Sequence, residues 1–125
     1  MTDKAKLVGI APQLVVQDVR KTAAYYCDVL GFTLIDYFLD PPVYAMVQRD
    51  GFQIHFGKAD DKVVQRNEQV RKISVDFLIW VPEIDAFYEE VKAKGAMLEG
   101  EPVQRPYGRE FIIRDIDGHR ISVCD

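Results

Sequence analysis

Two stretches of this chain say nearly the same thing. Asp50-Gly51-Phe52-Gln53-Ile54-His55-Phe56 and Asp117-Gly118-His119-Arg120-Ile121-Ser122-Val123 each read as a tight turn followed by an alternating strand. They lie slightly more than half the 125-residue chain apart. A second echo runs upstream. Val16-Gln17-Asp18-Val19 opens a helical stretch that stops at Gly31, and Val81-Pro82-Glu83-Ile84 opens another that stops at Gly95. Each half therefore runs strand, helix, then several strands. Self-similarity at so long a period constrains the fold more than any single motif. A duplicated half-sheet tends to build a shared cleft, and function is expected there.

Length allows one domain with a core that needs no staples. The formal net charge of −4 argues against nonspecific nucleic-acid binding and mildly favours a cationic ligand. Cys27 and Cys124 form no C-x-x-C pair and no disulfide ladder, which suits a reducing cytoplasm. The polar start of the chain carries no apolar signal core, and no apolar run approaches the ~20 residues of a membrane span. A cytoplasmic protein without membrane partners is expected.

Module one is expected over about residues 7–57, a polar connector over about 58–72, and module two over about 73–125. In the first, Ile10 to Val16 reads as a strand, with Pro12 marking its start or an edge. Asp18 can cap a helix whose apolar positions are Val19, Ala23, Tyr26, Cys27 and Leu30. Phe32 to Leu39 is a strand, and Tyr44–Gln48 with Phe52–Phe56 a hairpin. In the second, Ile73 to Val81 is a strand and Ile84, Phe87, Tyr88 and Val91 mark a helix face. A short strand begins at Met97-Leu98, Glu101 to Gly108 is a loop, and Glu110–Arg114 with Arg120–Cys124 closes the chain as a hairpin.

Side chains alternate across a strand. One face is wholly apolar (Leu14, Val16, Ile54, Phe56, Phe77, Ile79, Ile121, Val123) and suits coverage by the helices. The other mixes Gln13, Gln53, His55, Asp76, Trp80, Arg120 and Ser122. Aromatic and scattered polar groups together describe a ligand cup better than a solvated sheet. A dimer interface is the bland alternative.

The pieces Pro12-Gln13-Leu14-Val15-Val16-Gln17-Asp18-Val19, Tyr25-Tyr26, Leu30-Gly31-Phe32, Phe87-Tyr88, Tyr107-Gly108-Arg109-Glu110-Phe111 and Arg114-Asp115-Ile116-Asp117-Gly118-His119 resemble, in order and spacing, the vicinal-oxygen-chelate superfamily. That superfamily holds glyoxalases, bleomycin-resistance proteins and ring-cleaving dioxygenases. The resemblance implies an α+β fold of two tandem βαβββ modules forming a curved mixed sheet around a cleft, usually as a homodimer. Its enzymes hold a divalent metal (Zn, Ni, Fe or Mn) with ligands from the first and last strand of each module. Counted from Asp18 and Glu83, the matching positions here are Ala11 (or Pro12), His55, Asp76 and Ser122. Alanine and proline have no donor and serine is a poor one, so His55 and Asp76 alone do not make a site. No metal or other cofactor is expected.

The departures resemble the metal-free bleomycin-resistance-like branch, which sequesters flat, often cationic drugs between aromatic walls. This implies a small-molecule-binding protein, with an antibiotic as one such ligand, rather than an enzyme. Trp80, the one tryptophan, is the first stacking candidate; Phe38, Tyr44 and Tyr107 follow. Gly108 would permit close approach at the rim. Gln13, Gln53, His55, Asp76, Arg120 and Ser122 supply polar contacts. Two alternatives stay open. One is a glyoxalase-type lyase or isomerase using a reduced metal site or acid–base work by His55 and Asp76. The other is a non-catalytic interaction module.

Overall fold

Asp18 sits in extended backbone, and its carboxylate accepts the amide protons of Arg20 and Lys21. That cap satisfies two otherwise orphaned donors and starts α1 (Val19–Asp28) directly after β1 (Gln13–Val16). The helix buries Val19, Thr22, Ala23 and Tyr26 on one stripe. It ends before Gly31, whose φ of 78° turns the chain into β2 (Thr33–Phe38). β3 (Tyr44–Arg49) and β4 (Phe52–Lys58) follow as a hairpin turned by Asp50 and Gly51, both at positive φ. The first sheet has the order β1-β4-β3-β2, with β1 parallel to β4 and the other pairs antiparallel.

The second half repeats this plan with one change. β5 (Phe77–Trp80) leads to α3 (Ile84–Ala93), then β6 (Met97–Leu98), β7 (Val103–Arg105), β8 (Gly108–Arg114) and β9 (Arg120–Cys124). β5 is parallel to β9, β9 antiparallel to β8, and both β6 and β7 pair with β8. The single edge strand of module one is thus split in two in module two. The connector carries α2 (Asn67–Val70). This computed structural model describes residues 4–125. The fold is α+β with two mixed sheets, and no closed barrel forms among the described residues.

Leu14, Val16, Ala45, Val47, Ile54, Phe56, Phe111, Ile113, Ile121 and Val123 bury one face of each sheet against Tyr26, Ile84, Phe87, Tyr88 and Val91 of α1 and α3. Period-2 strands and period-3.6 helices therefore meet in one core. Truncating a side chain such as Phe56 there costs about 3–5 kcal/mol.

Three expectations need correction. Ile73 to Asp76 is not strand: Ile73 is exposed at φ 56° and β5 begins at Phe77. Branched side chains suggested a strand, but no neighbour pairs with Ile73, and the ladder first forms where β9 lies alongside. The stretch expected as a loop from Glu101 holds β7, an all-exposed edge with no apolar alternation to announce it. β1 starts at Gln13 rather than Ile10, although Pro12 already accepts the His55 amide proton.

Candidate functional site

On the face of module one's sheet that carries His55, strand register stacks side chains in rows. Asp36, Met46, His55 and Gln13 form one row, and Phe38, Tyr44, Gly57 and Val15 the next. Four of the sequence candidates are joined there by hydrogen bonds. Gln13 Nε2 donates to Tyr44 Oη at 3.0 Å, Tyr44 Oη lies 2.7 Å from His55 Nδ1, and His55 Nε2 lies 2.8 Å from Gln53 Oε1. With the amides so oriented, one direction runs consistently along the chain: Gln13 donates to Tyr44, Tyr44 to Nδ1, and Nε2–H to Gln53. Phe38 stands 61% exposed at the end of this face.

Module two presents a different surface. One row runs Trp80, Cys124, Glu110, Val103, and the next runs Leu78, Ser122, Ile112. Trp80 is 69% exposed and Tyr107 67% exposed. On the same face, Ser122 Oγ donates to Glu110 Oε2 at 2.7 Å and Tyr107 Oη donates to the same oxygen at 3.2 Å. Cys124 Sγ lies 3.4 Å from Ser122 Oγ. Ser122, Tyr107 and Trp80 are among the residues that the sequence singles out; Glu110 and Cys124 are not. Their signal was the same alternation that selected Ser122, carried one step along β9 and across to β8.

Asp76 and Arg120 do not join this surface. Asp76 accepts the amide protons of Asn67 (3.0 Å) and Arg120 (2.8 Å), which fixes the connector against the start of β9. Arg120 spends its guanidinium on Glu99 (2.9 and 3.0 Å) and on the Ser74 carbonyl. Arg114 bridges Glu99 and Glu68, and this hydrogen bond holds the Glu68 carboxyl down to about 2. The charges at this end are mutually satisfied. Gly108 also differs from expectation. A Cβ there would run into the Asp125 carboxylate, so the close approach is made by the chain's own Asp125.

At the positions that the resemblance assigns to metal ligands stand Ala11 (or Pro12), His55, Asp76 and Ser122. Alanine and proline offer no side-chain donor, serine is a poor one, and Asp76 is engaged by the amides of Asn67 and Arg120. This donor set does not fit a divalent metal.

A second polar cluster lies between the modules. Asp115 and His119 are 1% and 2% exposed, with His119 Nδ1 3.2 Å from Asp115 Oδ2. Asp115 also accepts from Tyr26 Oη at 2.8 Å, while Asp117 accepts from Thr22 Oγ1 and the Gln17 amide. Burial alone would lower the His119 imidazole. The hydrogen bond and charge of Asp115, helped by Asp76 and Asp117, outweigh it and hold His119 above its ordinary value.

The sequence profile of the glyoxalase/bleomycin resistance protein/dioxygenase superfamily matches residues 7–123. The chain belongs to that superfamily. Within it, the bleomycin resistance proteins of Geobacillus stearothermophilus and Staphylococcus aureus are each 27% identical over 123 residues, 89% of this chain and 91% of theirs. The bleomycin-binding protein of Streptomyces verticillus, solved with copper(II)-bleomycin, superimposes with a TM-score of 0.74 at 24% identity, covering 97% of this chain and 98% of that one. TnmS3, an antibiotic binding protein from Streptomyces sp. CB03234, gives 0.70 at 19% identity, with 98% of each chain covered. These structural likenesses establish the superfamily fold. No described helix is long and apolar enough to cross a membrane.

Proposed function

We propose that this chain is a metal-independent binding protein that takes up a small flat aromatic or cationic compound and withdraws it from its target. The observation that carries the reading is Trp80: a large ring, 69% exposed, set in a sheet row above buried polar groups rather than in the core. Keeping such a ring in water forgoes burial worth about 2 kcal/mol, which a stacking ligand recovers. The polar chain through His55 supports the same reading, since every member is satisfied within the protein and gives directional contacts without a metal. The names borne by the relatives agree with it. A homodimer belongs to the proposal, because a second copy laid across the exposed rings would turn an open face into a closed groove.

The test is direct. Titration with a panel of flat aromatic compounds should change Trp80 fluorescence for a subset of them. The Phe38→Ala and Tyr107→Ala variants should weaken those hits, and Trp80→Ala should abolish them when binding is followed by calorimetry. Chelator-treated protein should bind as well as untreated protein. Binding that survives Trp80→Ala, or that needs added metal, would overturn the reading.

A further inference from the structure

Glu110 is the least explained charge on the cup face. Its side chain is 16% exposed, at mid-sheet. Oε2 takes the hydroxyls of Ser122 and Tyr107, both uncharged donors. Oε1 has only Arg105 Nε at 3.5 Å, from a half-exposed side chain on β7, whose three residues are all exposed. Glu90 and Glu99 hold arginine more tightly: Glu90 takes both arms of Arg49 at 2.7 and 3.1 Å, and Glu99 both donors of Arg120. Glu110 thus keeps a largely buried carboxylate whose second oxygen has only a long contact to a half-exposed arginine and retains open acceptor capacity.

Register fixes where this acceptor lies relative to the stacking ring. Trp80 pairs with Cys124 and Cys124 with Glu110, so the two side chains project from one face, two strands apart. That separation is about 10 Å, two strand spacings. Between them stands only the small, buried Cys124. A ring on Trp80 can therefore extend a substituent along the row to Glu110 without crossing a bulky side chain.

Resting on the binding function proposed above, we infer that Glu110 is a cation anchor. The preferred ligand carries a flat ring that lies on Trp80 and a protonated amine, on a short arm, that docks on Glu110 Oε1 in place of Arg105. Burial excludes water from the carboxylate and strengthens a charge-assisted hydrogen bond there. Selectivity follows from charge and reach together: a neutral ring stacks without the anchor, and an amine without a ring lacks the stack.

The probes are an acridine with an aminopropyl arm and the same compound with its amine acetylated. Calorimetry measures both against the parent, Trp80→Ala and Glu110→Gln. Glutamine keeps an acceptor oxygen for Ser122 and Tyr107, and equal melting temperatures of parent and variant show that the fold is held. The parent should prefer the free amine over the acetylated probe by about tenfold to a hundredfold, and Glu110→Gln should erase that preference while leaving the acetylated probe's affinity unchanged. If the free amine binds through Trp80 but with the same affinity in Glu110→Gln, the anchor is wrong and the stacking function stands. If neither probe binds the parent, the anchor and the stacking function both fail.

Discussion

A tyrosine hydroxyl decides the chemistry open to His55. With Gln13 donating to it, Tyr44 can pass its own proton to Nδ1, which leaves Nε2–H facing Gln53. Replacing Tyr44 with Phe should cost about 1 kcal/mol, the usual net worth of such a bond. It should also mix the two ring tautomers, read from the imidazole nitrogen shifts by NMR; a parent already showing both tautomers would contradict the assignment. Gly108 makes a second residue-scale case. It holds φ 131° with the Asp125 carboxylate where a Cβ would be. Gly108→Ala should therefore destabilise the chain by about 1–3 kcal/mol in urea unfolding, more than an edge-strand alanine normally would. The residues of the site were legible to differing depth. Parity along the strands picked out Gln13, Gln53, His55, Trp80 and Ser122 for one face. It could not tell that Asp76 and Arg120 are consumed by the backbone and by Glu99, because those partners lie beyond the strand in the connector and before β7. Glu110 stayed ambiguous for the same reason: its role depends on which of two neighbouring arginines reaches it.

At the level of elements, α1 and α3 each serve both modules. α3 supplies Glu90 to Arg49 of β3, and the same guanidinium donates to the Leu30 carbonyl and lies 5.0 Å over the Phe87 ring. Arg49→Ala should cost about 2–4 kcal/mol, since it strands a partly buried carboxylate and strips cover from Phe87. Arg49→Lys should recover only part, because an ammonium cannot engage both Glu90 oxygens in a fork; equal stability of the lysine variant would show the fork to be idle. Helix positions were readable from capping and 3.6-residue spacing, and both hairpins from their Asp-Gly turns. The division of the last module's edge was not. β6 has two residues and β7 three. Elements so short carry no period, and only the run of β8 beside them defines them as strands.

For the whole molecule, the buried Asp115–His119 pair ties the β8–β9 turn to α1 through Tyr26, while neighbouring Asp117 holds Thr22 and Gln17. The groups facing it are Asp117 and Asp76, the Tyr26 hydroxyl, and the guanidinium of Arg66 packed on Gly118. His119 is held above its ordinary value in the folded chain. Its contribution is therefore complete below the unfolded value of about 6.5 and is lost as pH rises through the raised folded value. Urea midpoints should fall in the parent as pH rises above about 6.5, and His119→Gln should flatten that slope. A slope unchanged by the substitution would remove His119 as its source. The duplication announced a plan of two modules, but nothing in either repeat marked this tie, which joins residues 89 to 100 positions apart.

The divided margin of the second sheet leaves a seam. β6 pairs with Ile113 and Arg114 at one end of β8, and β7 with residues 108–110 at the other, so neither piece depends on the other for its register. Residues inserted at Gly100, between them, would lengthen a surface bulge without sliding Trp80 or Glu110 out of line. In module one the matching edge, β2, is a single strand from Thr33 to Phe38 whose pairing shifts by a bulge between Leu34 and Asp36 rather than parting into two pieces. New ligand preferences would thus be cheapest to evolve by growth at Gly100, with the stacking ring and the acid carried along unchanged.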